Sequence, residues 1–358
     1  MRSDPSPILS TGGTCSLFRE PAVPAHISLW KILALLLLGC GLFLAAGCKR
    51  PDLPVVEREQ FLMGTAVSIT IAGEERDHAH RAADRAFGEI RRLEAIMSTY
   101  RPESEISQVN GAAGASWTVV SPELRYVIKA GLDFGELSRG GFDVTVKPLI
   151  GIWHFEEGSR PPGQEAIDSL LPLVDYHAVQ IDADGRVRLK KPGMAIVLGG
   201  IAKGYAVDRA IEILQEEGIE NAIVNAGGDL RAIGRRSSSR PWRVGIQDPR
   251  REDELLADLP LTDRAVATSG DYERFYIFEG IRYHHILDPR TGRPARGCRS
   301  VTVIAPTAME ADALATAGFV LGPEEGRALL QGRNQVEGMI VDEEGRTFST
   351  TGFPEGEK

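Results

Sequence analysis

Asp312 and Thr316 stand four residues apart in the run Glu310-Ala-Asp-Ala-Leu-Ala-Thr316. Thr307 and Glu310 just ahead of them read as a capping box, with Thr307 at the N-cap and Glu310 three residues into a helix. Spacing of four places a carboxylate and a hydroxyl on one helical face, one turn apart. That is half of a hard-cation site, suited to magnesium, which takes oxygen ligands. Ala313, Ala315 and Ala317 are small enough for a ligand to approach the backbone. The same spacing also fits a buried helix whose threonine bonds its own turn, and the segment alone leaves both readings open.

Four more turns carry polar chemistry. Gly199-Gly-Ile-Ala-Lys-Gly-Tyr205 lies where an apolar segment meets a helix, so unpaired N–H groups and the Lys203 charge could meet a diphosphate. Its spacing is neither that of a Walker A loop nor that of the GxGxxG fingerprint. Asn225-Ala-Gly-Gly-Asp229 is a strand-end turn bearing two polar side chains, and Thr268-Ser-Gly-Asp-Tyr-Glu-Arg274 is a third. In the fourth, His285 enters the turn Asp288-Pro-Arg-Thr-Gly292, where an imidazole could serve as a general base near neutral pH.

The elements that must hold these turns alternate between strand and helix. Ala66–Ile71 reads as a strand, and Asp77–Met97 as an amphipathic helix. Ser121-Pro122 opens a second helix. Gly140–Val146 reads as a turn entering a strand, Gln164–Leu171 as a short helix, and Ala195–Leu198 as a further strand. Asp184-Gly185 and Glu344-Gly345 each sit between strand candidates as hairpin turns. A helix runs through Ala206–Glu217 and stops at Gly218. More strands fall at Ala222–Val224, Leu230–Ile233, Trp242–Ile246, Ala265–Thr268, Phe275–Phe278 and Val301–Ala305. This mixture argues an α+β fold with largely antiparallel sheets and packed helices.

The chain has 358 residues, a quarter of them charged, and a formal charge of -9. That sign excludes a nucleic-acid partner held by electrostatics. The N-terminus reads as a targeting segment spanning residues 1–48, with Lys31 ahead of the apolar run Ile32–Ala46. The run is short for a membrane span. Leu44-Ala-Ala-Gly-Cys48 resembles a bacterial lipobox, which makes Cys48 the expected lipidation site, with Cys40 a weaker competitor and an uncleaved anchor the alternative. Either way the expected location is extracytoplasmic, at the membrane and facing the periplasm. Residues 49–59 read as a polar tether and 60–350 as the catalytic domain. Cys15, Cys40 and Cys48 belong to the leader, so Cys298 alone remains in the domain and neither a disulfide nor a thiolate metal site is expected.

Taken in order, Phe61/Met63-Gly-Thr65, Gly141-Phe-Asp143, Gly199–Tyr205, Asn225–Asp229, Ser269-Gly-Asp-Tyr272, His285 with Asp288–Gly292, and Ala311–Thr316 resemble the ApbE family of FAD:protein FMN transferases. The resemblance spans about Phe61 to Gly345. It implies an ApbE-like, T-fold-like architecture. It also implies a magnesium-dependent enzyme that takes FAD as substrate and attaches FMN through a phosphoester to a serine or threonine of a flavoprotein subunit, in a membrane redox complex, releasing AMP. By the same resemblance Met63, Tyr100, Gly141, Phe142 and Asp143 contact FAD, Lys203 and Asp229 lie near the nucleotide, and Ile286 lines the pocket. The metal falls to Gly200, Asp312, Ala315 and Thr316, and the acceptor's proton to His285. Val197 replaces an aspartate common before Leu-Gly-Gly, and Lys147 and His154 replace residues that are often small. Two other readings use the same residues: an FAD pyrophosphatase giving FMN and AMP, and a flavin-holding lipoprotein without turnover.

Overall fold

The structure, a computed structural model, describes residues 54–251 and 253–354. Cys48, the leader and residues 49–53 lie outside the described residues. The stretch expected as a tether to residue 59 is in part a strand, because Val55–Leu62 (β1) pairs along its whole length with Thr65–Ala72 (β2). Its Glu-Arg-Glu-Gln run hides the alternation: Val56 and Leu62 are buried, whereas the polar residues between them face outward or lie along a helix. Leu62 lies opposite Thr65, so Met63-Gly64 forms a two-residue turn.

Arg76–Met97 (α1) follows, buried along Ala83, Phe87, Ile90 and Leu93. Next come Glu105–Gly111 (α2), Pro122–Leu137 (α3), Lys147–Ile150 (α4) and Gln164–Leu170 (α5). Ser121 caps α3 by accepting the Leu124 N–H at 3.3 Å. The strands expected at Gly140–Val146 and Ala195–Leu198 are absent. These segments meet only through a parallel bridge between Val146 and Ala195 and a 2.8 Å bond from Val197 N–H to the Val144 carbonyl. Each is an apolar connection buried between other elements, where periodicity cannot tell strand from loop.

Val179–Ile181 (β3) and Val187–Leu189 (β4) form a hairpin, and Ala202–Glu216 (α6) follows. Then come Ala222–Ala226 (β5), Asp229–Ile233 (β6), Trp242–Gln247 (β7), Leu255–Leu261 (β8) and Arg264–Gly270 (β9). Phe275–Phe278 (β10) pairs with Ile281–His284 (β11), and Leu287–Asp288 (β12) with Arg293–Pro294 (β13). The chain closes with Cys298–Ala305 (β14), Ala308–Gln331 (α7), Glu337–Asp342 (β15) and Thr347–Ser349 (β16). The helix α7 is broken at Gly322, whose φ of 84° and ψ of 179° leave the helical region just before Pro323.

The central sheet has eight strands in the order β1-β2-β5-β6-β9-β14-β15-β16, all antiparallel. Alternation sends its strands to two cores. In β9, Ala265 and Ala267 face the helices and join a core with Phe87, Ile211, Leu314 and Phe319. Val266 faces the other way, with Leu230 and Ile304, against Trp242, Val244 and Leu259 of the β7–β8 hairpin. The described residues belong to one compact unit, Asp52–Lys358.

Register brings three turns to one end of this sheet. Val67 pairs with Ala226, Ala226 with Asp229, Leu230 with Val266, and Ser269 with Val301. The Met63-Gly64 turn, the Gly227-Gly228 turn and the end of β9 are therefore neighbours. From the opposite end of β14, α7 runs back across the helical face toward them.

Candidate active site

The start of α7 fixes the two residues singled out by spacing. The Thr307 hydroxyl accepts the Glu310 N–H at 3.2 Å, as a capping residue should. The reciprocal half of the box does not form, because the Glu310 carboxylate accepts two bonds from Arg333 at 2.8 and 3.2 Å instead. The freed helix-end donors go elsewhere: Ala308 N–H and Met309 N–H each donate at 2.9 Å to the Asp208 carboxylate of α6. One turn along, Asp312 is 4% exposed and accepts the Gly204 N–H at 3.1 Å. A further turn along, the Thr316 hydroxyl lies 3.4 Å from that of Ser269 at the end of β9.

Two glycines let α6 and its entry turn approach this closely. A side chain at Gly204 would collide with the Ala308 carbonyl, and a Cβ at Gly200 would sit 3.0 Å from the Thr316 hydroxyl and 3.1 Å from the Phe142 ring. Gly200, Phe142 and Thr316 thus meet where α6 begins, with Asp312 one turn before Thr316 on α7. Lys203 reaches into the same spot, in an ion pair with Asp229 and 3.9 Å from the Asp312 carboxylate. Burial opposes its charge, but Asp229, Asp312 and then Glu273 more than reverse that and keep Lys203 protonated. Burial and the nearby Asp229 charge push Asp312 up to about 7, against Lys203 and the Gly204 N–H. Asp229 is likewise raised by burial, with Lys203 opposing.

Two buried carboxylates therefore share one ammonium, a setting short of positive charge. Among the described residues no three His, Cys, Asp or Glu gather as a metal cage. The donors around Asp312 are instead a hydroxyl and backbone groups. This set suits magnesium, which is held by one or two carboxylates and completes its shell with water and phosphate oxygens.

The two histidines separate cleanly. His284 is core: its Nε2 bonds the Ala295 carbonyl at 2.9 Å and its ring stands edge-on to Phe319, 5.3 Å between centroids. His285 donates its backbone N–H to the Arg274 carbonyl at 3.0 Å, and its Nδ1 is buried with no hydrogen-bond partner among the described residues. Burial first, then the charges of His284, Arg274 and Lys203, hold the His285 imidazole down to about 4. It is neutral at physiological pH. The next residue, Ile286, is buried in the main core.

The residues expected at the flavin are placed unequally. Met63 is half-buried and adopts φ 54°, an uncommon left-handed conformation for a side-chain-bearing residue. Gly141 abuts Leu321 and Ser138. Tyr100 is 80% exposed, with the Lys147 ammonium 5.5 Å from its ring. Asp143 is engaged within its own loop, accepting Thr145 N–H at 2.7 Å, Thr145 hydroxyl at 2.6 Å and Tyr176 N–H at 3.2 Å. Burial raises its pKa against those bonds. Sequence reasoning gave no role to Asp208 or Glu273. For Asp208 a signal exists, a carboxylate within the apolar stretch Ala206–Ile211. Glu273 is recognised only by the field it shares with Lys203 and Asp229.

The pattern of the ApbE family matches residues 63–340. An FAD:protein FMN transferase of Treponema pallidum (strain Nichols) is 30% identical over 342 residues, 90% of this chain and 94% of the relative. One from Escherichia coli (strain K12) is 31% identical over 334 residues, 89% and 95% of the two chains. Among solved structures, the ApbE protein of Thermotoga maritima superposes with a TM-score of 0.77 at 38% identity, covering 84% of this chain and 98% of that one. With the glycine-lined junction of α6 and α7, Asp312, Thr316 and His285 all falling inside the matched span, this chain belongs to the ApbE family.

Proposed function

We propose that the chain is an FAD:protein FMN transferase that uses magnesium to move FMN from FAD onto a serine or threonine hydroxyl of a protein, releasing AMP. The observation that carries this reading is the buried pair Asp312 and Asp229 sharing one ammonium from Lys203 beside Thr316 and Gly200, inside a span that matches the family. Asp312 and Thr316, with the Gly200 and Ala315 carbonyls, would hold the ion. Bound there, magnesium supplies charge neutralisation for the diphosphate and its leaving phosphate.

The chain's own residues do the rest. The acceptor oxygen attacks the phosphorus on the FMN side of the anhydride, the bond to the AMP phosphate breaks, and AMP leaves. Neutral His285 offers its imidazole as the acceptor for the hydroxyl proton. Lys203 keeps its charge at working pH and opposes the negative charge that accumulates on the transferring group. Phe142 and Ile286, both buried, would contribute apolar contacts, and Met63 lies in the left-handed turn between β1 and β2. Asp143 serves by shaping the Phe142 loop. The lipobox-like Leu44–Cys48 supports an extracytoplasmic, lipid-anchored enzyme that acts on a subunit of a membrane redox complex.

The test is product stoichiometry. With FAD, magnesium and an acceptor protein, one AMP should appear for each FMN attached, and chelation should stop both. Free FMN equal to AMP, with an acceptor known to be competent left unmodified, would replace the transferase with a pyrophosphatase. FAD binding without any AMP would leave a flavin-holding protein.

A further inference from the structure

We infer that Asp208 is a positioning residue, which registers the metal-bearing turn of α7 against Lys203 and Asp229. The inference rests on the magnesium-dependent reading above. Asp208 is 6% exposed and lies on α6, five residues after Lys203. One carboxylate oxygen accepts the Ala308 N–H and an Arg231 guanidinium N–H, both at 2.9 Å, and the other accepts the Met309 N–H at 2.9 Å. Arg231 lies on β6, two residues after Asp229. A single side chain is therefore bonded to α7 and β6 from α6, and these are the three elements that carry the charges of the site.

The geometry asks for such a pin. Ala308 and Met309 precede Asp312 by about one turn, so a shift at the helix start is passed to the carboxylate through rigid backbone. The facing surfaces of α6 and α7 are small: Gly204, Ala308, Ala311 and Ala315 offer few ridges to lock the helices in register. The other described links between the site's helices, the Gly204 N–H bond and the Lys203 ion pair, both run to Asp312 itself. That carboxylate is the group proposed to bind the cation, so it is a poor fixed reference for the helices. Asp208 holds the helices from a point the ion does not touch. Burying a carboxylate is costly, and three donors, one of them charged, offset that cost. Thr307 caps only the Glu310 N–H, so the Ala308 and Met309 donors at the helix start depend on Asp208.

The experiment compares the full chain with Asp208→Asn, Asp208→Glu and Arg231→Gln. Three quantities are read for each: the metal-free thermal midpoint, the magnesium concentration giving half-maximal FAD turnover, and Mn2+ binding in the presence of FAD by electron paramagnetic resonance. Asp208→Asn should raise the half-saturating magnesium and the Mn2+ dissociation constant about tenfold or more, the scale of losses from outer-sphere changes at metal sites. Arg231→Gln should raise both by a smaller factor, and Asp208→Glu should recover part of the loss. A lower midpoint with unchanged metal affinity in the folded protein would overturn the inference and leave Asp208 a stability residue. Should Asp208→Asn fail to fold, unchanged metal affinity in Arg231→Gln would overturn it equally. Wild-type protein showing no metal dependence would remove the magnesium reading and this inference together. Wild-type dependence with matching variants would remove the inference alone.

Discussion

His285 is neutral and Lys203 charged, and on the proposed function their protonation states bear directly on transfer. Because burial and nearby cations hold the imidazole down to about 4, the acid limb of the pH–rate profile should lie well below the usual histidine range near 6.5. His285→Ala should reduce transfer by about 10²–10⁴-fold, with FAD affinity largely kept. Steady-state transfer kinetics alongside flavin-fluorescence binding separates the two effects. The neighbouring His284 makes a different, stability-based prediction. Its pKa is lowered to about 4 from 6.5, mainly by burial, so between those values the unfolded chain binds a proton that the folded chain excludes. Its contribution is complete above about pH 6.5 and is lost as pH falls toward 4, by at most about 3 kcal/mol. Thermal unfolding from pH 7 to pH 5 should show a steeper loss in the wild type than in His284→Gln. At this scale the sequence was most legible where partners are local. Asp312 and Thr316 declare themselves by a spacing of four, whereas Asp208 finds its partners 23, 100 and 101 residues away, on two other elements.

Between elements, the site depends on two loops held by side chains and on one close helix crossing. Asp143 binds two backbone N–H groups and a hydroxyl, so Asp143→Ala should cost about 1–3 kcal/mol of stability by leaving them unpaired. Denaturant unfolding would show it, and a loss of FAD affinity with unchanged stability would assign Asp143 to the flavin instead. Gly204→Ala should destabilise by about 1–3 kcal/mol, because the added methyl meets the Ala308 and Met309 backbone rather than a side chain that can turn away. Hairpins marked by glycine turns, such as those at Asp184-Gly185 and Gly227-Gly228, could be read from residues alone. β1 could not, since Glu57, Arg58, Glu59 and Gln60 look solvated until Arg58 is seen paired with Asp84 and Gln60 with Arg91 on α1. β8 was hidden for a related reason: Pro260 and Asp258 disguise a strand that exists because Trp242, Val244 and Leu259 cover the outer face of the sheet.

At the largest scale, the described residues form an eight-stranded antiparallel sheet with helices on one face and a hairpin on the other, and the candidate site lies toward one end. The α+β class followed from the mixture of hairpins and helices. The strand order did not, because β9 and β14 are joined to partners distant in sequence, and only burial of both faces requires them at the centre. No described helix is long and apolar enough to cross a membrane. On the proposed function, one buried carboxylate, Asp312, governs the delivery of FMN to a protein hydroxyl. Intact mass spectrometry of an acceptor protein incubated with FAD and magnesium tests it most directly, using wild type and Asp312→Ala side by side. The wild type should give a mass gain of one FMN moiety on a serine or threonine. That gain should be lost on chelation and reduced by about 10²-fold or more in Asp312→Ala. Undiminished labelling by Asp312→Ala, or labelling that persists in excess chelator, would contradict it.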